Sequence, residues 1–475
     1  EYCRNSLNVH HQPEQSEGCG VLERVRSICI IFLFIFFIIV YSLGSFSKIP
    51  FGDCVGYVLT TEKEIFIKEA TATSHILYIN TAILIKKLLF IDGVLANKIL
   101  VITSGAAVVS LIYLIVFEMT KKQLTSFISA VVFGFSFSFW RNAEIVEVYT
   151  FNAVWITLYY YFALKAYNKN SPKHLFISSI FLGISLWAHI QNILLIPSYL
   201  LLLFYFKKKT NAYLFPLLAF CILFGLLFVV NISQNLSFHS VFTSEQGNWV
   251  SNSFKKDLSI YFNDFIKSLG YLIYNFNLFV IIGIYGFYLL FTTQPRIAWF
   301  ILTASLAVYG FSTFYAVSDN YVFFIPFNIL FAILIGVGLS KIQNKIMLKS
   351  LSFIAFLIPL FYISMGHMMN WPLPSILLGH ENMMIFVLVQ LCLVVPIMFI
   401  NRGYYIRGFK TLWNRSPNMD SLIALGSSAA FIYSLYATFM MAYYLGRMDM
   451  DMDMTHHYMM QLYFESAGMI LTLIS

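Results

Sequence analysis

The sequence predicts an all-α fold, a polytopic helical membrane protein of about 14 transmembrane helices in two modules. Three observations carry that expectation. Residues are 59% hydrophobic and 11% charged, with a mean hydropathy of +0.76. The apolar runs are long and continuous, as a helix of about 20 residues must be to cross a ~30 Å hydrocarbon core, and they lack the alternation of a membrane β-barrel. Finally, the net charge of +8 sits on Lys and Arg in short loops between those runs. That placement follows the positive-inside rule and argues for a lipid environment, with no nucleic-acid partner.

Read in order, residues 1–27 form a cytosolic tail, of which the first twenty, with Pro13, Gly18 and Gly20, look disordered. The apolar run from Ile28 to Leu43 is too long for a cleaved signal peptide and reads as an anchored first span. A polar stretch, 47–97, carries Asp53, Glu62, Glu64 and Glu69 and a half-apolar segment from His75 to Leu89, so it reads as an outer loop with interfacial helices. Spans follow near 98–118, 124–139, 148–166, 174–188, 191–206 and 212–230, then a second outer loop from Asn231 to about Lys267. Three more lie near 277–292, 297–316 and 321–340, and four near 351–365, 382–400, 419–444 and 458–475. Lys121-Lys122, Lys165–Lys173, Lys207–Lys209, Arg296 and Lys341–Lys349 then fall on one side, with the N-terminus in the cytosol, as in a bacterial plasma membrane.

Composition changes abruptly inside this series. Of eighteen methionines, seventeen lie between Met347 and Met469 and only Met119 precedes them. Two modules, 28–340 and 345–475, are therefore expected, and their functions are separate questions. The six cysteines (Cys3, Cys19, Cys29, Cys54, Cys221, Cys392) form no C-x-x-C pair, as suits buried apolar thiols.

In the first module three groupings carry possible chemistry. Asp53, just beyond the first span, could serve as a general base at the water interface, although a loop Asp capping a turn is the commoner occurrence. Arg141, Glu144 and Glu147 are spaced by three within Phe139–Tyr149, so on one helix they would share a face able to hold a phosphate or a metal. A self-neutralising interfacial cluster, with Trp140 and Tyr149 as its aromatic belt, is the alternative. His189, followed by Gln191 and Asn192 in an apolar stretch, could be a ligand or proton donor, or could bond a neighbouring helix.

Together these motifs resemble a bacterial multi-pass family related to the transmembrane O-mannosyltransferases, of the GT-C glycosyltransferase class. FWRNAEIVEVYTFN (139–152) and LGISLWAHIQNILLIP (182–197) carry the resemblance, which extends over residues 28–340. Where that family reads roughly D-S-G-E, this chain has Asp53-Cys54-Val55-Gly56, and a proline-rich His motif appears only as Ser74-His75-Ile76-Leu77-Tyr78. The resemblance implies a polyprenyl-phosphate sugar donor, an acceptor on the outer face and a possible divalent cation. It makes Asp53 the catalytic acid/base, His75 a donor-site residue, and Glu147 with His189 part of the cavity. Arg141 is read from its own chemistry as a phosphate contact, with Glu144 beside it.

The second module resembles the first four membrane helices of copper-transporting heavy-metal P-type ATPases, through 360–369, 415–426 and 463–467. Soft thioethers suit Cu(I). The resemblance implies that Met365, His367, Met368 and Met419 handle copper, with Met419 at the cytosolic mouth and Glu465 on the exit path. The basic amphipathic stretch 401–413, around Gly408, would then be a docking platform for a copper chaperone. No D-K-T-G, T-G-E or C-P-C motif is present, so ATP-driven transport by this polypeptide alone is not expected. The Met/His run Asp449–His457 could bind released metal or simply be a solvated loop. A copper-binding protein without sugar transfer, or a fused scaffold with no joint function, remains the alternative to a glycosyltransferase.

Overall fold

Lipid leaves no partner for a free N–H or C=O, so the chain satisfies its backbone within helices. In the computed structural model the described residues are 13–45, 53–207, 211–243, 249–317, 319–369, 383–414, 417–445, 452–459 and 461–473, with the side chains of 361–369 among those outside the description. These residues form α-helices and short 3-10 turns, and among them there is no strand.

The chain enters through α1 (Pro13–Gly44) and continues into two short helices, α2 (Asp53–Glu62) and α3 (Ile76–Leu89). A compact group follows: α4 (Gly93–Thr120), α5 (Gln123–Gly134), α6 (Phe137–Glu144), α7 (Tyr149–Lys169), α8 (Pro172–Ala188), α9 (Ile196–Lys207) and α10 (Leu214–Ser233). Next come α11 (Trp249–Ser253), α12 (Leu258–Phe276), α13 (Phe279–Thr293), α14 (Pro295–Phe314) and α15 (Ile325–Ser340). The last group is α16 (Lys345–Met369), α17 (Met383–Ile400), α18 (Arg402–Trp413), α19 (Met419–Leu445), α20 (Met452–Met459) and α21 (Phe464–Leu473).

Eight of the described helices are long and apolar enough to cross a membrane, or up to ten if each of two bent pairs is one span. The sequence suggested about fourteen. The difference lies partly in α8, only 17 residues long, and in tyrosine-rich α7, both of which pack inside the bundle. Two boundaries need correction. Residues 13–27 are helical rather than a disordered tail, because Pro13 with Glu14 and Glu17 makes a favourable helix start; residues 1–12 lie outside the described residues. Likewise 258–267, read as loop, belongs to α12, whose Asp264 and Lys267 lower its hydropathy without stopping the helix.

α4 and α15 form the centre. α4 packs against α1, α5, α7 and α15, and α15 is buried along its whole length. Large apolar side chains such as Phe215 (75% exposed) and Ile281 (72%) line the outer surface, as lipid contact allows. One continuous core cluster runs from Leu33 to Leu471 and includes residues of both predicted modules.

The two bent pairs are the main irregularities. α5 and α6 meet at 64°, α12 and α13 at 99°. A break frees helix-end groups, and partners are supplied from elsewhere. The Tyr41 hydroxyl of α1 donates to the Gly134 carbonyl at 2.9 Å, and Asn275 of α12 accepts from the Ser138 N–H at 2.9 Å. Asn275 therefore caps α6 from another helix.

α13 and α15 approach through glycine. A Cβ on Gly286 would lie 1.9 Å from the Leu334 carbonyl oxygen, and one on Gly338 would lie 2.3 Å from that of Ile282. Both obstacles are backbone, which cannot swing aside. Gly286→Leu and Gly338→Leu are each expected to destabilise the fold by at least about 1–3 kcal/mol. Gly225→Ala, which meets nothing within 4 Å, should hold or raise the melting temperature. Thermal melts of the detergent-purified chain check this; equal melting temperatures for all three variants would refute the close α13–α15 approach.

Candidate functional site

The polar stretch after α1 is held down residue by residue. Glu62 accepts from the Gly93 N–H at 2.6 Å and Asp92 from the Leu95 N–H at 2.8 Å, so both carboxylates cap α4. Glu64 pairs with Lys86 at 2.9 Å. The connecting segment is gripped by two amides that each donate and accept. Asn80 bonds the backbone N–H and C=O of Ile67 (2.8 and 2.9 Å), and Asn231 bonds those of Ala70 (2.6 and 3.2 Å). Asn231 opens a glycosylation-type sequon, but it is fully buried in this clamp.

The clamped segment delivers His75 to the head of α3 in a left-handed conformation (φ 43°), which a non-glycine residue adopts only under constraint from its surroundings. Its ring lies 4.9 Å from that of His189, which begins a 3-10 turn where α8 stops at Ala188. Tyr57 of α2 and Tyr149 of α7 flank the pair, each with its ring centroid 5.8 Å from the nearer histidine. Nδ1 of His75 is 3.4 Å from the Ala188 carbonyl, and Nδ1 of His189 accepts from the Gln191 N–H. Burial lowers His75 to about 4. Burial, and then the neighbouring His75, lowers His189. Both rings are neutral at pH 7.

Glu147 lies within electrostatic reach of Tyr57 and Tyr149, the two tyrosines that flank the histidines. α6 ends at Glu144, and Ile145 is already extended (φ −108°, ψ 158°), so Glu147 belongs to the connector into α7. The expected shared face of Arg141, Glu144 and Glu147 is therefore divided. Glu144 is buried against α1, where a Cβ on Gly44 would meet its Oε1 at 1.8 Å. Glu147 instead accepts a hydrogen bond from the Cys54 thiol at 3.2 Å. Burial raises its carboxyl to about 7; the Cys54 bond opposes that rise, while Asp53 and Asp319 add to it. Asp53, exposed at the first turn of α2, thus lies within electrostatic reach of Glu147 and of Tyr57.

Asp319 and Cys54 escaped the sequence reading. For Asp319 a signal exists: it is the lone carboxylate between Asp264 and Glu381, set between two apolar runs. Next to it, the Tyr321 ring receives the Arg141 guanidinium at 5.8 Å. Arg141 also lines a pocket of about 770 Å³ between the two bent pairs, together with Phe135, Trp140, Asn275, Asn277 and Phe279. A cation, two amides and several aromatic rings line it.

Among the described residues no group of three or more His, Cys, Asp or Glu side chains could hold a metal ion. The carboxylates here do not form the donor set a divalent cation needs. In the second half, the side chains of Met365, His367 and Met368 lie outside the described residues. Met419 starts α19 and is 61% exposed; Glu465 is half-buried in the first turn of α21. The basic stretch is helical, as α18. Gly408 lets it cross α19 closely, a Cβ there falling 2.3 Å from the Asp420 carbonyl oxygen, and Arg407 pairs with Asp420 at 2.8 Å.

Residues 69–212 match the family model of the protein O-mannosyl-transferase TMEM260 N-terminal domain, a stretch that includes His75, Arg141, Glu144, Glu147 and His189 but not Asp53. The structure resembles ArnT from Cupriavidus metallidurans bound to undecaprenyl phosphate, with a TM-score of 0.55 and 12% identity over 94% of this chain and 76% of that one. The apo state of the same protein gives 0.54. The chain therefore shares the helical fold of ArnT, and its long apolar helices make it an integral membrane protein. It is also 46% identical over 103 residues to a copper-transporting ATPase of Helicobacter felis, and 33% identical over 133 residues to a copper-exporting P-type ATPase of Staphylococcus epidermidis. Those stretches are 22% and 28% of this chain but only 12% and 14% of the relatives' length.

Glu147 and His75 impose opposite pH dependences on stability. Glu147 has its ordinary value of 4.5 raised to about 7, so its contribution is full below pH 4.5 and is lost as pH rises through 7. His75 has 6.5 lowered to about 4, so its contribution is full above pH 6.5 and is lost as pH falls through 4. Glu147→Gln should leave a melting temperature that climbs with pH over the His75 window, an effect His189 reinforces. His75→Gln should make the climb shallower than in Glu147→Gln, because Glu147 then opposes the remaining His189 contribution. Melts from pH 4 to 8 test this, and parallel profiles in the wild type and both variants would contradict the buried placements.

Proposed function

We propose that residues 28–340 transfer a sugar from a polyprenyl-phosphate donor to an acceptor at the outer face of the membrane. The observation that carries this is Tyr321, whose ring receives Arg141 and whose hydroxyl lies within electrostatic reach of Arg141, Asp319 and Glu147, with Arg141 also lining a largely apolar pocket. The family match across 69–212 and the ArnT-like fold support it.

In this reading the donor phosphate rests against Arg141 and its polyprenyl chain lies in the pocket. Asp53 accepts the proton of the acceptor hydroxyl as that oxygen bonds to the anomeric carbon. The bond from that carbon to the phosphate oxygen breaks, and its electron pair leaves with the lipid phosphate, whose charge Arg141 stabilises. Glu147 docks α2 and so positions Asp53. The neutral His75–His189 pair walls the donor side, and Glu144 supports the cavity from the α1 side. No step is routed through a metal. The orientation, with the N-terminus in the cytosol of a bacterial cell, follows from the loop charges.

Residues 345–475 invite a second reading because of their likeness to copper ATPases. Met365, His367, Met368 and Met419 would bind Cu(I) as cargo, Glu465 would lie on its exit path, and α18 would receive a copper chaperone. Loss of Cu(I) binding on substituting Met365, Met368 and Met419 together is the result that supports it.

For sugar transfer, the full chain in proteoliposomes is offered a panel of polyprenyl-phosphate sugars and release of polyprenyl phosphate is followed. Asp53→Asn should lower turnover about 10²- to 10⁴-fold, and Arg141→Gln about 10²-fold. Unaltered turnover in Asp53→Asn would remove that residue from the mechanism. No turnover by the wild type with any donor would sink the reading.

A further inference from the structure

The sugar-transfer reading assigns no task to anything after Lys341, yet α16 enters the donor region. Ile354, Ala355, Ile358 and Pro359 of α16 form one wall of the pocket beside Arg141. Packing fixes that wall. Phe356, only 1% exposed, lies among Phe36, Phe127 and Phe135 with ring centroids 6.0, 6.3 and 6.0 Å away. α16 packs against α5, and the next helix, α17, packs against α1. The pocket therefore has walls from both parts of the chain: the α5–α6 and α12–α13 bends on one side, α16 on the other.

Its chemistry specifies an occupant. Arg141 has no carboxylate within ion-pair distance among the described residues; its guanidinium lies over the face of Tyr321. A guanidinium so placed favours an anion with oxygen acceptors, and phosphate fits its fork. Away from Arg141 and the two asparagines, Phe135, Phe276, Phe279 and the α16 side chains offer apolar surface alone. A soluble phosphate would leave that surface unused, whereas a long hydrocarbon chain covers it. The apolar character of this lining, open to the surroundings on one side of the bundle, is what calls for a hydrocarbon chain.

We propose that α16 completes the binding pocket for a phosphate-bearing polyisoprenoid lipid, with the phosphate on Arg141 and the chain between α16 and the two helix bends. The segment beginning at Lys345 is then part of the lipid site rather than an independent passenger. The identity of the lipid rests on the donor reading above, but the test is of binding and needs no turnover.

A diazirine-tagged polyprenyl phosphate is photocrosslinked to the full chain in detergent, and labelled peptides are mapped by mass spectrometry. Label is expected on the α16 peptide containing Ile354–Pro359 as well as on α5–α6. Ile358→Trp should fill the pocket and reduce labelling about tenfold, while Ile346→Trp, on an exposed position of the same helix, should not. Arg141→Gln should reduce labelling by the phosphate probe and leave labelling by a tagged neutral polyprenol unchanged. Label confined to residues before 341, undiminished labelling in Ile358→Trp, or equal labelling by both probes in the wild type would overturn the proposal. If Ile358→Trp fails to fold in a thermal melt, the wild-type crosslink map still decides. Binding without turnover would count against sugar transfer alone, and turnover without α16 labelling against this proposal alone.

Discussion

Glu147 is the constraint on which the site depends. A carboxyl removed from water must find a hydrogen-bond donor or keep its proton, and here it does some of each. Its donors are the Val148 backbone and the Cys54 thiol, the latter one residue after Asp53 in the first turn of α2. Satisfying Glu147 therefore pulls the first loop onto the bundle and brings Asp53 close enough to influence it. The same enclosure keeps His75 and His189 neutral, which lets two imidazoles lie 4.9 Å apart where two imidazolium ions would repel. Asn80 and Asn231 hold the intervening segment at Ile67 and Ala70, ahead of the left-handed His75.

The irregularities of the bundle gather around this region. Non-helical backbone at membrane depth is tolerated where it is buried in protein or lines a cavity, and the two sharply bent pairs do the latter. Tyr41 and Asn275 repair the α5–α6 break from α1 and α12, and Asn275 also borders the pocket. One residue thus joins the stability of a helix break to the shape of a binding surface.

Much of this was legible in the sequence because apolar length and loop charge report membrane helices directly. The helices α4, α9, α14, α15, α17 and α19 fall where the apolar runs lie, and His75 marks the start of α3. Three features were not legible. α12 hides because Asp264 and Lys267 interrupt its hydropathy, although amphipathic spacing continues through them. The division of Arg141, Glu144 and Glu147 depends on where α6 stops, and three-residue spacing does not encode an end point. The Cys54–Glu147 contact joins residues 93 apart in sequence, and nothing local to either marks the other. Asp319 could have been found, since an isolated carboxylate between two spans is costly and seldom idle.

The most direct test is a cryo-EM structure of the full chain in lipid nanodiscs loaded with a polyprenyl phosphate. The expected map has phosphate density at the Arg141 guanidinium, chain density against α16, and the Cys54–Glu147 contact intact with Asp53 beside the phosphate. A map in which the lipid sits elsewhere, or in which α2 has lifted from Glu147 so that Asp53 faces away from the phosphate, would contradict a site built on that buried carboxyl.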